Sequence, residues 1–220
     1  EFVFDKNKEF NFSPGQYMEW TSPQYTTDSR GNRRYFTLAS SPTEEEIKIG
    51  VRFNSPGSSF KKYLNGMKTG EKVVASQLSG EFILPKDKNQ KVVFIAGGIG
   101  ITPIRSMVKY LIDKKGERDI VLFYACKSMD ETAYKDLLDQ AEKSIGLRTI
   151  YLLSEGIIPR EIKAIKGRLS KDIIEKEVPD YSERIFYLSG PELMIRSYKQ
   201  LLLDLGIKRN KIITDYFPGY

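Results

Sequence analysis

Three stretches of this chain carry residue types whose spacing could do chemistry. The first is Lys91–Met107, KVVFIAGGIGITPIRSM. A β-branched apolar run ends at Gly97-Gly98. Beyond Gly100, the residues Ile104, Met107, Val108, Leu111 and Ile112 recur at the spacing of one buried helix face. Thr102 reads as the N-cap and Pro103 as the first helical residue. A strand, a glycine turn and a helix aim free backbone N–H groups and the positive helix end at one point, where a phosphate can sit. Glycines without a Cβ let an anion approach the backbone. The dinucleotide fingerprint ends in Gly or Ala, whereas Pro103 stands here, so the turn alone leaves its ligand open. The second stretch is Arg34-Tyr35-Phe36-Thr37-Leu38. On a strand, Arg34, Phe36 and Leu38 share one face, and Tyr35 and Thr37 the other. A cation, an aromatic ring and a hydroxyl so close together can serve a phosphate, a flat ring and a ring edge, or simply form an exposed strand. The third is Val51-Arg52-Phe53 with Gly57-Ser58-Ser59-Phe60, where a short helix start offers a second set of amides to phosphate, or a plain turn and cap.

Composition removes many other chemistries. The 220 residues include one cysteine, Cys126, and no histidine. One thiol makes no internal disulfide and cannot hold an iron–sulfur cluster. Zinc sites built from Cys and His are excluded, as are Ser-His-Asp and Cys-His catalysis, and no metal site is expected. Any reaction must rely on a bound organic cofactor, carboxylates, hydroxyls or backbone amides. Lys and Arg number 35 against 29 Asp and Glu, a net charge of +6. The charges are interspersed, which argues against a nucleic-acid or membrane tail and leaves room for a basic face toward an acidic protein. No apolar run approaches the ~18 residues of a membrane span. The opening EFVF, without Met and in mid-strand, reads as the start of a fragment; a region ahead of it could carry a membrane segment or a further redox domain.

The elements that must position these residues fall into two rhythms. Residues 1 to about 85 read as short strands with turn signals: EFVFDKNKEFNF, QYMEW after Pro14-Gly15, YFTLASSP, EIKIGVRF, EKVVASQL and GEFILP. A turn at Asn54-Ser55-Pro56-Gly57 leads to a short helix over Phe60–Leu64. That pattern suggests a small antiparallel barrel. From about residue 90, strands alternate with helices: DIVLFYAC, a capping box Ser128-Met129-Asp130-Glu131 opening a helix through Lys143, LRTIYLLS, a short helix in LSKDIIEKE, RIFYLS, a helix opened by Gly190-Pro191 and ending near Gly206, and KIITDYF. Repeated βα units predict a parallel sheet with helices on both faces. The expected fold is a two-domain α+β chain: a β-barrel over 1–88, then an α/β nucleotide-binding domain over 89–220. Cys126 ends an apolar strand and reads as a small core residue.

A barrel with R-x-[YF]-[ST] and a later glycine-serine turn, followed by an α/β domain opening on G-G-x-G-x-T-P, resembles the ferredoxin–NADP⁺ reductase family over essentially the whole chain. The resemblance implies an FAD-binding barrel. Arg34 would pair with the flavin diphosphate, Phe36 would lie against the isoalloxazine in the place where the family usually has Tyr, and Thr37 would approach the flavin N5 edge. Tyr35, Val51, Arg52 and Gly57 belong to the same expected site, with Ser58, Ser59 and Phe60 offering backbone amides. In the second half Gly97, Gly98, Gly100, Thr102 and Pro103 would face the nicotinamide nucleotide. Ser189-Gly190-Pro191-Glu192-Leu193-Met194 resembles the family's C-G-P motif, with Ser189 in place of Cys and with Gly190, Pro191 and Met194 against the nucleotide. Thr37, Ser189 and Thr102 are the expected catalytic residues. The tail, with Phe217 and Tyr220, resembles the aromatic terminus that can approach the flavin.

The implied activity is hydride transfer from NADH or NADPH to FAD, with electrons passed to a protein or fused domain of ferredoxin, flavodoxin or membrane type. NADP⁺-specific members often carry Ser-Arg where this chain reads Ser154-Glu155. A carboxylate there repels a 2′-phosphate and can bind a ribose hydroxyl, which favours NADH; Arg148, Arg160 and Arg168 are the cations that could reverse it. The alternatives are an NAD(P)H-dependent free-flavin or ferric reductase and a non-catalytic nucleotide-binding docking module. FMN in place of FAD stays open. The expected location is cytoplasmic, with tethering through a region ahead of residue 1 left open.

Overall fold

The computed structural model describes residues 1–23, 26–53, 57–156, 158 and 161–216. Its first part is antiparallel. Strands β1 (Phe2–Asp5) and β4 (Glu46–Ile49) pair with each other. Strand β2 (Tyr17–Thr21) pairs with β3 (Arg33–Thr37) on one side and β5 (Val74–Ser79) on the other. Beyond Thr37 the chain links the two sheets: Leu38 N–H donates to Gln16 O at 2.9 Å and Ala39 N–H to Lys48 O at 2.7 Å. Helix α1 (Ser59–Gly66) plugs this wrap with Phe60 and Leu64, which join Trp20, Leu38, Ile47 and Ile49 in one apolar cluster. Ser58 caps α1, its hydroxyl accepting from Lys61 N–H.

The expected strand over 81–85 is absent among the described elements. The segment is a strap across the following sheet, with its polar backbone satisfied by side chains: Tyr187 donates to Ile83 O at 2.7 Å and Arg118 to the carbonyls of Pro85, Asp87 and Gln90.

From Val92 onward the sheet is wholly parallel. Its strands are β6 (Val92–Gly97), β7 (Ile120–Cys126), β8 (Arg148–Leu153), β9 (Ala164–Lys166), β10 (Ile185–Gly190) and β11 (Ile212–Tyr216), ordered β11-β10-β6-β7-β8-β9. β9 has no counterpart among the strands expected from the sequence. Helices α2 (Ile101–Asp113) and α3 (Lys135–Ile145) cover one face, and α4 (Lys171–Glu177) and α5 (Glu192–Asp204) the other. The continuous apolar strands follow from burial on both faces.

Two helix starts differ from expectation. Residues 98–100 form a turn of 3₁₀ helix that runs directly into α2, so Gly100 and not Thr102 is the N-cap. Thr102 lies within the first turn, its hydroxyl donating to Ile99 O at 3.1 Å. The Ser128–Glu131 box opens only a 3₁₀ turn, and α3 begins at Lys135 after Tyr134 in a left-handed conformation, φ 61°. Glu131 cannot close the box because Arg52 holds its carboxylate at 2.8 Å.

Candidate active site

The parallel sheet winds outward from β6 through β7, β8 and β9, then returns to the other side of β6 with β10 and β11. The reversal between β6 and β10 is a switch point in strand order, and the carboxyl ends of strands at such a point are where sheets of this kind bind ligands. Both chemistry-bearing turns of this half meet there. A Cβ on Gly100 would fall inside contact distance of the Ser189 carbonyl oxygen, and one on Gly190 would meet Gly97 O at 3.0 Å. The glycines therefore allow two backbones to touch. Met194 and Pro191 pack against Gly97, where an added Cβ would come within 3.1 Å of Pro191 Cδ. Tyr124, fully buried in β7, donates to Gly98 O at 3.2 Å and accepts from Ala133 N–H at 3.1 Å. It pins the left-handed Gly98 (φ 51°), a role that nothing in the sequence around it signals.

Ser189 is fully buried, and its Oγ has no hydrogen-bond partner among the described residues. It pairs in register with Asp215 of β11, so the two side chains share one face of the sheet. Burial pushes the Asp215 carboxyl up to about 6. An orphaned hydroxyl thus stands beside a desolvated carboxyl at this end of the sheet, an arrangement that packing alone does not call for. Asp215 is not among the site residues expected from the sequence, because its neighbour is known only once strand order is known.

The antiparallel half supplies the second cluster. Arg34, Phe36 and Leu38 share a face as expected. Phe36 lies 5.7 Å from the Phe60 ring, and the Arg34 guanidinium 5.9 Å from it. Thr37 is buried at the end of β3, while Tyr35 is 54% exposed with its hydroxyl on Glu19 at 3.0 Å. Arg34 Nη2 meets Asp28 Oδ1 at 3.1 Å, and Ser59 N–H, in the first turn of α1, donates to Asp28 Oδ2 at 2.9 Å. The amides of Ser59 and Arg30 hold the Asp28 carboxyl down at about 2, with Arg34 and Arg30 charges adding to them. Burial lowers the Lys61 ammonium, and Arg30, Arg34 and Arg52 lower it further. Two guanidiniums and a helix start thus converge on one anion, and here the anion is the protein's own carboxylate. Ser58 is spent on capping, and Phe60 is a core side chain.

The two halves meet at Gly50, where a Cβ would lie 2.6 Å from Thr102 Cγ2 and 2.8 Å from the Tyr134 hydroxyl. Thr102 is thus packed in the seam, 2% exposed, with Pro103 buried beside it. Val51 is half-buried and packs against the apolar cluster of the antiparallel half. Arg52 reaches across the seam to Glu131 and stands near Gly98. Gly57 is half-buried ahead of the α1 cap, and residues 54–56 of the expected turn lie outside the described residues.

At the far edge, Ser154 and Glu155 are exposed just past β8, with Glu155 3.3 Å from Lys127. Lys127 is a further cation, not among those expected from the sequence at this edge. Arg148 stands at the opposite end of β8 and donates to Glu177 O, so it is removed from the cations that could bind a 2′-phosphate here. Arg168 is exposed just beyond β9. Arg160, Phe217 and Tyr220 lie outside the described residues. Cys126 is half-buried, and burial pushes its thiol up to about 11, in line with an inert role.

Residues 94–200 match the family model of the oxidoreductase NAD-binding domain. That stretch, just under half of the chain, is similar to the NAD-binding domain found in the ferredoxin–NADP⁺ reductase family. Relatives of the chain include the flavohemoprotein of Bacillus cereus (strain ATCC 10987 / NRS 248), 27% identical over 97% of this chain and 55% of that protein. The Na(+)-translocating NADH-quinone reductase of Neisseria gonorrhoeae (strain ATCC 700825 / FA 1090) has a component that is 29% identical over 98% of this chain and 56% of that one. The chain spans about half the length of the curated relatives it matches. Among solved structures, the flavohem-like FAD/NAD-binding domain of nitric oxide dioxygenase from Vibrio cholerae O1 biovar El Tor superposes with a TM-score of 0.79 at 22% identity, covering 94% of this chain and 86% of that one. A ferredoxin NADP⁺ reductase from Neisseria gonorrhoeae, with bound FAD and NADP, gives 0.75 at 16% identity, covering 98% and 91%. The two-domain fold of these structures therefore extends over nearly the whole chain, antiparallel half included. No helix among the described residues is long and apolar enough to cross a membrane.

Proposed function

We propose that the chain is the reductase portion of an NAD(P)H-dependent flavoprotein, with FAD on the antiparallel half and the nicotinamide nucleotide at the β6–β10 switch point. The observation that carries the reading is the Asp28 carboxylate held between Arg34 and the first turn of α1. A site that binds one anion through a guanidinium, a backbone N–H and nearby cations fits a diphosphate. A flavin held there would supply the chemistry of accepting hydride from a nicotinamide and releasing electrons onward. Arg34 and the Ser59 amide would then hold the diphosphate in place of Asp28. Phe36 would present its ring, and Thr37 its hydroxyl, at the flavin edge. Gly97, Gly98 and Gly100 would admit the nucleotide close to the backbone. Ser189 and Asp215 would hold hydrogen bonds at the hydride-transfer end, and Glu155 would accept from a ribose hydroxyl and favour NADH.

The electron acceptor is another domain or protein; a globin partner, a quinone-reductase assembly and a ferredoxin are all compatible with the relatives. One observation favours flavin as an exchanging substrate: a site that closes on its own carboxylate can release flavin without exposing unpaired cations.

Titration of FAD by quenching of its fluorescence tests the site. Arg34→Ala is expected to weaken binding about tenfold or more, the worth of a charged hydrogen bond. Asp28→Asn is expected to strengthen it several-fold, because the competing anion is gone. Equal affinity in both variants and the parent would rule this site out as the flavin site.

A further inference from the structure

The seam between the two halves holds a buried ion pair that stability alone does not explain. Arg105, in the second turn of α2, is 8% exposed. Its Nη1 donates to Ala39 O at 3.0 Å and to Glu44, while Nη2 donates to the other oxygen of Glu44 at 2.9 Å. The neighbouring Ser106, fully buried, donates to Ser40 O at 2.6 Å. Glu44 is held in turn by Ser41 N–H at 2.6 Å and Lys48 at 3.2 Å, and the Tyr134 ring lies 5.6 Å from the Arg105 guanidinium. Consecutive residues of α2 thus grip consecutive carbonyls of the other half.

Burying two charges is costly, and apolar residues of similar volume often stabilise a seam as well or better. What a forked guanidinium adds is direction: two parallel bonds to one carboxylate and a third to a carbonyl fix position in a way that apolar faces, free to slide, do not. The gripped carbonyl of Ala39 is two residues beyond Thr37, and Arg105 is five beyond Gly100. The pair therefore joins the strand end proposed to carry the flavin edge to the helix that begins at the nucleotide turn.

We propose that Arg105 and Glu44 are positioning residues that set the nicotinamide turn over the Thr37 end of β3. The inference rests on the reductase reading above. Hydride transfer needs the two reacting atoms about 3–3.5 Å apart, and a misplacement of about 1 Å can cost ~100-fold in rate.

The test uses FAD-loaded protein, reduced anaerobically by saturating NADH in a stopped-flow instrument. The readouts are the reduction rate, the long-wavelength charge-transfer absorbance of stacked rings, flavin content and melting temperature. In Arg105→Met/Glu44→Met neither charge of the pair is left behind, and Lys48 keeps Glu46 at 3.4 Å. That double variant is expected to keep its flavin and melting temperature while reduction slows by about tenfold or more and the charge-transfer band weakens. Arg105→Lys keeps the charge but loses the fork, and is expected to fall between the double variant and the parent; it carries the test if the double variant does not fold. A folded, flavin-loaded variant of either kind with the parent's rate and band would overturn the inference. A parent protein that neither NADH nor NADPH reduces would overturn the reductase reading, and this inference with it.

Discussion

Asp215 is a carboxyl whose ordinary behaviour burial has changed, and the consequence is a definite pH dependence. Its folded-state pKa of about 6 lies above the ordinary 3.8. As pH rises from 4 to 6, the unfolded chain loses this proton and the folded protein keeps it. Asp215 therefore withdraws stability across that window, and the loss levels off above pH 6. In urea melts, Asp215→Asn is expected to match the parent's unfolding free energy near pH 4 and to exceed it by about 3 kcal/mol at pH 7.5. A constant difference at every pH would place the carboxyl in water. Arg34, Phe36 and Thr37 were legible in the sequence because a strand's alternation orders side chains that lie within four residues. Asp28 was not, since its value depends on a loop reaching α1, 31 residues away. Nor was Tyr124, whose importance is its hydroxyl under Gly98.

The glycine turn is the element on which the switch point depends, and its glycines are not equivalent. Gly97 has φ −122° and Gly100 has φ −60°, conformations alanine adopts freely, so only the surroundings decide. A Cβ on Gly100 meets the backbone of Ser189 and Gly190, whereas one on Gly97 meets chiefly the flexible end of Met194. Gly100→Ala is expected to cost about 3 kcal/mol or more and to weaken nucleotide binding, and Gly97→Ala about 1 kcal/mol; thermal melts of both variants check the order. The strand–turn–helix order here was legible because the apolar period changes from continuous to helical. The helix start was not: Thr102 has the chemistry of an N-cap, but the glycines before it extend the helix backward as a 3₁₀ turn. At α3, Ser128 and Glu131 have the spacing of a capping box, and a partner 79 residues away took the glutamate.

Across the whole molecule, the change from antiparallel to parallel structure was visible as a change of rhythm near residue 90, and so was the family resemblance. The return of β10 to the other side of β6 was not, because nothing local records on which side a strand is added. That return brings Ser189 to Gly100 and decides where a ligand goes. The choice of nucleotide belongs to this scale too. Glu155 and Lys127 stand just past the carboxyl ends of β8 and β7 with opposite charges and are both exposed, so their pairing contributes little to stability. Glu155→Arg is expected to leave the melting temperature unchanged and to shift the kcat/KM ratio toward NADPH by about tenfold, the worth of one charge-assisted contact. An unchanged ratio would take Glu155 out of nucleotide selection.

That the chain transfers hydride from a nicotinamide nucleotide to a bound flavin is tested most directly by anaerobic titration. The protein is loaded with FAD and titrated with NADH, then NADPH, while the visible absorbance of the flavin is followed. Bleaching by NADH at close to one equivalent is expected, with NADPH less effective. A protein that takes up neither FAD nor FMN, or whose bound flavin keeps its colour with both nucleotides, would contradict hydride transfer as its function.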